Sequence, residues 1–120
     1  MILLLHVFAP AAGPAEAEAI GRRLLDALSQ FAPVTAQPPK RYWKIPEWYE
    51  HTLRLSPATE AGFDAVLARA ALGWDPVVRD TECSAVWNRV PGGQLLLPEV
   101  TWAELLLIHA PEHPGAPPLG

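Results

Sequence analysis

Prolines limit the regular elements that this sequence can form. The chain has 14 prolines in 120 residues, and each lacks the N–H that an interior helix or strand position uses. Pro10 ends an apolar run at the N-terminus, and Pro33 ends a helical pattern that starts at Pro14. Pro38 and Pro39 exclude an interior strand at their position. The sequence therefore predicts several short elements.

The first half of the chain predicts one strand and two helices. Residues 1–8 are apolar without alternation, which is typical of a strand inside a sheet, and they lack the positive segment that begins a signal peptide. Apolar residues at three- and four-residue spacing predict a helix over 14–31. Ser56 and Pro57 are suited to an N-cap and a first helical position, and Gly73 is suited to a helix end. A second helix is therefore expected between Ser56 and Gly73.

Period-two alternation predicts the strand that follows the aromatic segment. Residues 41–44 and 48–55 are expected to be extended arms around a turn at 45–47. In the second arm one set of alternating side chains is mostly apolar and is expected to point inward: Tyr49, His51, Leu53 and Leu55. Trp48 lies in the opposite set and is expected to be exposed.

The second half predicts a hairpin and an ambiguous last element. A strand is expected over 81–89, with Cys83, Ala85 and Trp87 on one face, and 74–78 are expected to be a connection. Residues 91–93 form a turn, and 94–97 return as the partner strand. Thr101 and Glu104 have capping-box spacing, so a short last helix competes with a strand over 101–109. The tryptophans at 74, 87 and 102 are expected in the core.

These elements predict an α+β fold. The expected architecture is a small, mainly antiparallel sheet with two main helices packed on one face and a possible short C-terminal helix. The length fits a single domain over residues 1–110. Residues 111–120, rich in proline and glycine, are expected to be a flexible tail.

Residues that could perform chemistry do not form a recognisable motif. Cys83 is the only cysteine, so an intrachain disulfide is excluded, and a buried structural thiol is favoured over a catalytic pair with His51. Asp80 and Glu82 are more typical of an exposed acidic edge than of a general acid and base. His109 is four residues from a second histidine, but nearby prolines break the helix that a metal site would need. No enzymatic activity, cofactor or metal is expected.

Charge and hydropathy narrow the possible partners. The net charge is −4, and residues 57–120 contain eight acidic residues but only three basic ones. This balance disfavours nucleic acid and fits a basic partner, although an acidic surface also serves solubility alone. No run approaches the ~20 apolar residues of a membrane span. The expected compartment is the cytoplasm.

The segment KRYWKIPEWYEH, residues 40–51, concentrates rings and charge and is the predicted partner-binding region. Its rings are of the types that dominate interface energetics. We expect aromatic anchors and acidic side chains that meet basic groups of a protein: Tyr42, Trp43 and Trp48 as anchors, and Glu47, Glu50, Asp80 and Glu82 as the acidic contacts. The alternative is a small-molecule-binding or regulatory domain with an aromatic-lined pocket.

Two later segments carry a family resemblance. These are VWNR, residues 86–89, and LLLPEVTWAEL, residues 95–105. With these segments and its overall plan, the chain resembles small bacterial immunity proteins of polymorphic or contact-delivered toxin systems, which are typically acidic, tryptophan-rich α+β domains. The resemblance implies a non-catalytic cytoplasmic protein that binds and blocks one cognate toxin domain. Its oligomeric state stays open.

Overall fold

A computed structural model describes residues 1–109 as a six-stranded antiparallel sheet with two helices. The strands are β1 (Ile2–Pro10), β2 (Val34–Arg41), β3 (Trp48–Leu55), β4 (Trp74–Arg79), β5 (Cys83–Asn88) and β6 (Trp102–Ile108). The helices are α1 (Pro14–Ala27), followed by a 3₁₀ turn over Ser29–Phe31, and α2 (Glu60–Leu67). The predicted α+β class is confirmed. The predicted tail, 111–120, lies outside the described residues.

The strand order is β2-β3-β1-β6-β5-β4, so the apolar first strand lies inside the sheet as predicted. Leu3, Leu5 and Val7 of β1 are fully buried. We call the sheet face that carries them and their register partners the core face. The opposite face, which carries Leu4, His6 and their register partners, is the open face. Its side chains are mostly half-buried.

The buried side chains of both helices belong to the same core cluster as the core face. They are Ile20 and Leu24 of α1 and Phe63 and Val66 of α2. The helical pattern predicted over 14–31 is correct in position, although its last turn is 3₁₀. At the sheet edge, β2 confirms that Pro38-Pro39 is compatible only with an outer strand.

The second helix begins later than the sequence predicts. Thr59, not Ser56, is the N-cap, and its hydroxyl accepts a hydrogen bond from the N–H of Gly62 at 3.1 Å. The backbone N–H of Ser56 donates instead to the carbonyl of Phe31 at 2.7 Å. This long-range bond joins the end of β3 to the end of the 3₁₀ turn, and a local capping pattern does not reveal it.

Replacing Thr59 with alanine is expected to lower the free energy of unfolding by about 1 kcal/mol, because one N–H of the first helical turn loses its acceptor. Ser56→Ala is the matched control and should change it by less than about 0.5 kcal/mol, since the side chain is exposed. Urea titration of both variants measures the difference. A larger loss from Ser56→Ala would contradict the assignment of the cap.

The region after α2 corrects two predictions. The helix ends at Leu67, and Gly73 does not end it, although Gly73 does have a positive φ of 108°. Residues 74–79, predicted in part as a connection, form the edge strand β4, which pairs with β5. Trp74 is partly buried against the core and donates its indole N–H to the carbonyl of Leu67 at 2.9 Å. Residues 74–79 show no clear alternation of apolar and polar side chains, and their pairing with β5 accounts for the extended conformation.

The predicted return strand at 94–97 is wrong. Those residues form only an isolated bridge between Leu95 and Leu97, and Leu96 has a positive φ of 63°, which is incompatible with an extended strand. The partner of β5 on that side is β6, so residues 101–109 contain a strand and not a short helix. Ala103, Leu105 and Leu107 alternate onto the core face and are buried there. Pairing of β6 with both β1 and β5, together with the burial of these side chains, outweighs the local capping pattern.

Candidate functional site

The turn between β2 and β3 is fixed by backbone hydrogen bonds. The N–H of Tyr42 donates to the carbonyl of Trp48 at 2.8 Å, and the N–H of Trp48 donates to the carbonyl of Ile45 at 2.9 Å. The N–H of Ala11, just after β1, donates to the carbonyl of Glu47 at 3.0 Å. The turn is therefore anchored both to itself and to the centre of the sheet.

Arg41 adds a side-chain clamp to the same turn. Its Nη1 donates to the carbonyl of Pro46 at 2.7 Å, and its Nη2 donates to the hydroxyl of Tyr49 at 2.9 Å. The guanidinium also lies 5.0 Å from the centroid of the Tyr49 ring, a cation–π contact. Tyr49 is buried, as predicted for its alternating set. The conformation of the turn is thus set before any partner binds.

Five rings gather beside this turn, and we call them the aromatic cluster: Phe8, Tyr42, Trp43, Trp48 and Trp102. Phe8 is central, with its ring centroid 4.9 Å from that of Tyr42 and 5.2 Å from that of Trp102, both edge-to-face. Tyr42 stacks on Trp48 with centroids 6.5 Å apart and planes inclined by 16°. Such arrangements are favoured by the ring quadrupoles, so the rings support one another's orientation.

The aromatic cluster borders a pocket of about 310 Å³, the aromatic pocket. It is lined by Phe8, Tyr42, Lys44, Ile45, Trp48 and Trp102. The rings of Phe8, Trp48 and Trp102 come from three adjacent strands, because β1 lies between β3 and β6. The lining side chains are four aromatic rings, one isoleucine and one lysine. The pocket therefore suits an apolar group with a polar or negative neighbour.

Exposure differs among the predicted anchors. Trp43 is 78% exposed, and Lys44 places its ammonium 5.2 Å from the centroid of the Trp43 ring. Trp48 was expected to be exposed but is half-buried, because Tyr42 and Phe8 cover it. The expectation of a core position for Trp102 is also wrong: it is half-buried on the open face, whereas Trp87 is fully buried as predicted.

Of the four predicted acidic contacts, only two lie near the aromatic cluster. Glu47 is exposed on the turn. Glu50 lies on the open face beside Phe8 and is already paired, with its carboxylate 3.2 Å from Nδ1 of His6 and 4.0 Å from Nζ of Lys40. His6 is thus a histidine with a hydrogen-bonding partner.

Asp80 and Glu82 lie elsewhere. They are exposed in the β4–β5 hairpin, next to Cys83. Cys83 pairs with Leu107 of β6, and Leu107 pairs with Leu3 of β1, so the hairpin lies level with the start of β1. The aromatic cluster lies at the other end of β1, and five residues of strand separate the two ends by roughly 17 Å. These two carboxylates therefore do not share one contiguous surface with the rings.

The arrangement does not form a cysteine–histidine pair. His51 is on β3 and Cys83 is on β5, with two strands between them, which places the strands roughly 14 Å apart. Cys83 is buried on the core face. Within residues 1–109, no three His, Cys, Asp or Glu side chains cluster as a metal site would need. In the same range, neither helix has the length and apolar character required to cross a membrane.

A second cavity of about 280 Å³, the helix-side cavity, lies between α1, β2 and β3. Its lining is Glu18, Gly21, Arg22, Leu25, Thr35, Gln37, Pro39, His51, Thr52 and Leu53. His51 is only 2% exposed, and its Nε2 has no hydrogen-bond partner in the described part of the chain. Burial lowers the pKa of the His51 imidazole below its ordinary value. The ring is therefore neutral near pH 7.

Stability is expected to fall as the pH drops below about 6.5, because the unfolded chain then protonates His51 more readily than the folded protein does. The stability contributed by the neutral ring is fully present above that pH and is lost toward the lowered folded-state pKa. Urea unfolding of wild type and His51→Phe at about pH 7.5 and 5.5 measures this contribution. The variant should lose less stability on acidification. An identical loss in both proteins would contradict the assignment.

Sequence reasoning missed two lining residues of the aromatic pocket, Phe8 and Trp102, whereas Lys44 and Ile45 lie in the predicted segment 40–51 but were not named as contacts. Phe8 was hidden because the first apolar run shows no alternation. For Trp102 a signal was present, since Glu104 shares its strand phase and a charged residue in that phase indicates an outward face. Applying the alternation rule to 102–108 would have placed Trp102 on the open face.

Comparison of the chain with protein-family models, curated proteins and solved structures gives no match. The function is therefore inferred from the residues of the site.

Proposed function

We propose that this protein is a non-catalytic inhibitor that binds a cognate bacterial toxin domain with one-to-one stoichiometry through its aromatic cluster. The observation that carries the proposal is Trp43, a large ring that is 78% exposed on a turn held by hydrogen bonds. The resemblance to immunity proteins supports the choice of a toxin as the partner. In this role the protein acts in the cytoplasm.

Preorganisation favours binding through this turn. Loops that become ordered on association lose part of the interaction energy to conformational entropy. Here Arg41 and the backbone bonds of Tyr42 and Trp48 already hold the turn. Trp43 can therefore bury its surface against a partner at little cost in ordering, which is the usual property of an interface hot spot.

The sheet arrangement favours binding on the open face. We infer that both helices pack on the core face, since their buried residues join its cluster. The open face then remains available next to the aromatic cluster. Glu47 is exposed on the turn, and together with the chain's net charge of −4 it would attract a basic partner and mainly raise its association rate.

The direct test starts from the neighbouring genes, where the proposal expects a large secreted protein with a variable C-terminal domain, and uses that domain as the toxin. Cells that express that domain should survive when this protein is co-expressed, and the purified proteins should form a one-to-one complex by calorimetry. The Trp43→Ala variant of this protein, which has the same charge and nearly the same size, serves as the matched control. Undiminished toxicity and no heat of binding would contradict the proposal.

The aromatic pocket supports a second candidate, a small-molecule-binding domain. Its volume of about 310 Å³, its four lining rings and the presence of Lys44 in its lining suit a planar aromatic carboxylate. Indole-3-acetate is a suitable probe in a thermal-shift assay without any protein partner. A rise in melting temperature that Trp102→Ala abolishes would favour this candidate, and no rise would count against it.

A further inference from the structure

The glycine in the middle of α1 points to the helix-side cavity. Glycine in a helix interior costs about 0.5–1 kcal/mol relative to alanine. Packing does not demand it here, because a Cβ at Gly21 would lie 3.5 Å from Nδ1 of His51 and 3.8 Å from the Pro39 ring, both ordinary contacts. The missing side chain instead leaves room in the cavity that Gly21 lines.

The same cavity contains a buried polar group without a protein partner. His51 is 2% exposed, and its Nε2 is unpaired among the described residues. Leaving a buried polar atom unsatisfied costs about 1–3 kcal/mol, so such atoms usually have a partner. The ring turns Nδ1, and not Nε2, toward the space left at Gly21. The neutral ring can donate or accept one hydrogen bond at Nδ1, depending on its tautomer, and a molecule in the cavity would meet the ring at that atom.

The cavity mouth offers charges of both signs. Glu18 and Arg22 are four residues apart on α1 and therefore lie on one side of the helix. Neither takes part in an ion pair in residues 1–109. Across from them, Thr35 and Gln37 of β2 add a hydroxyl and an amide. One anion site and one cation site therefore lie beside a short polar wall.

We propose that the helix-side cavity binds a small zwitterion of the α-amino-acid class. The carboxylate pairs with Arg22, the ammonium pairs with Glu18, and a polar side-chain group bonds to Nδ1 of His51. The cavity volume of about 280 Å³ matches a molecule of that size. This site is separate from the aromatic cluster, so the proposal does not depend on the inhibitor function.

The experiment uses the ¹⁵N-labelled protein and each standard L-amino acid as a separate probe in NMR titrations. We expect at least one amino acid to shift the amide signals of Gly21 and His51 with saturable one-site behaviour. Its desamino acid and its decarboxylated amine should bind about tenfold more weakly or worse, because each lacks one charged hydrogen-bonding group. No shift with any amino acid, or equal binding of the amino acid and its two analogues, would overturn the proposal.

Two variants locate the site. Gly21→Leu fills the cavity and should abolish the shifts, whereas Gly21→Ala should retain the fold and weaken binding less. Arg22→Gln changes an exposed side chain and is therefore expected to fold; it should weaken binding about tenfold or more. Trp43→Ala should leave the titration unchanged. Normal amino-acid binding by Arg22→Gln, or its loss in Trp43→Ala, would contradict this placement.

Discussion

Replacing Trp43 with alanine is expected to weaken the proposed complex with a toxin domain by about 30-fold or more, since truncation of an interface hot spot costs about 2 kcal/mol or more. Folding should be unaffected, because the ring is 78% exposed and its aromatic and cation–π interactions are with Tyr42 and Lys44 on the same turn. Isothermal calorimetry measures the affinity, and thermal unfolding of the free protein measures the fold.

Val34→Ala is the matched control for Trp43. Val34 is 60% exposed and belongs to the same β2–β3 hairpin, but it lies at the far end of β2 from the turn. Its truncation should change affinity less than about twofold, as expected for a residue outside the interface. Equal affinities of Trp43→Ala and wild type would rule out the turn as the anchor. A fall in melting temperature with Trp43→Ala would point to a structural role instead.

Replacing Gly73 with alanine is expected to destabilise the fold by roughly 3–5 kcal/mol, through backbone strain together with overpacking. Its φ of 108° is a conformation that L-residues rarely adopt. An added Cβ would also lie 2.5 Å from Nε1 of Trp87 and 2.6 Å from the carbonyl oxygen of Asn88. Trp87 cannot move away easily, because it is fully buried and donates that N–H to the carbonyl of Leu72 at 2.8 Å.

Gly92→Ala separates strain from collision. Gly92 also has a positive φ, of 79°, but an added Cβ would meet no atom within 4 Å. Its cost should therefore be the strain alone, about 1–2 kcal/mol. Urea titration of both variants measures the two losses. Equal losses would show that a collision of the added Cβ with Trp87 adds nothing to the cost of the Gly73→Ala substitution.

The agreement between sequence and structure is best where burial follows a local period. Tyr49, Leu53 and Leu55 alternate onto the core face because neighbouring side chains of a strand point to opposite sides. The buried stripe of α1 follows in the same way from helical spacing. In both cases the order of apolar and polar residues along the chain predicts which side chains are buried, without knowledge of distant contacts.

The errors occur where pairing with another strand decides the outcome. Residues 74–79 become β4 because β5 supplies hydrogen-bond partners, and 101–104 stay extended because β1 and β5 flank β6. For the same reason Asp80 and Glu82 lie far from the turn that Glu47 shares with the rings. Nothing in a linear pattern reports which strands become neighbours.

The sequence by itself determined the α+β class, the position of α1, the inward face of β3 and the concentration of rings and charge in residues 40–51. Those features depend on prolines and on short periods, which act over a few residues. Tertiary structure alone decided that Phe8 and Trp102 join Tyr42, Trp43 and Trp48 in the aromatic cluster, and that Gly21 leaves space beside His51. Both sites form because β1 lies between β3 and β6 and because α1 packs beside β2, and such neighbours are chosen by the burial of the whole core.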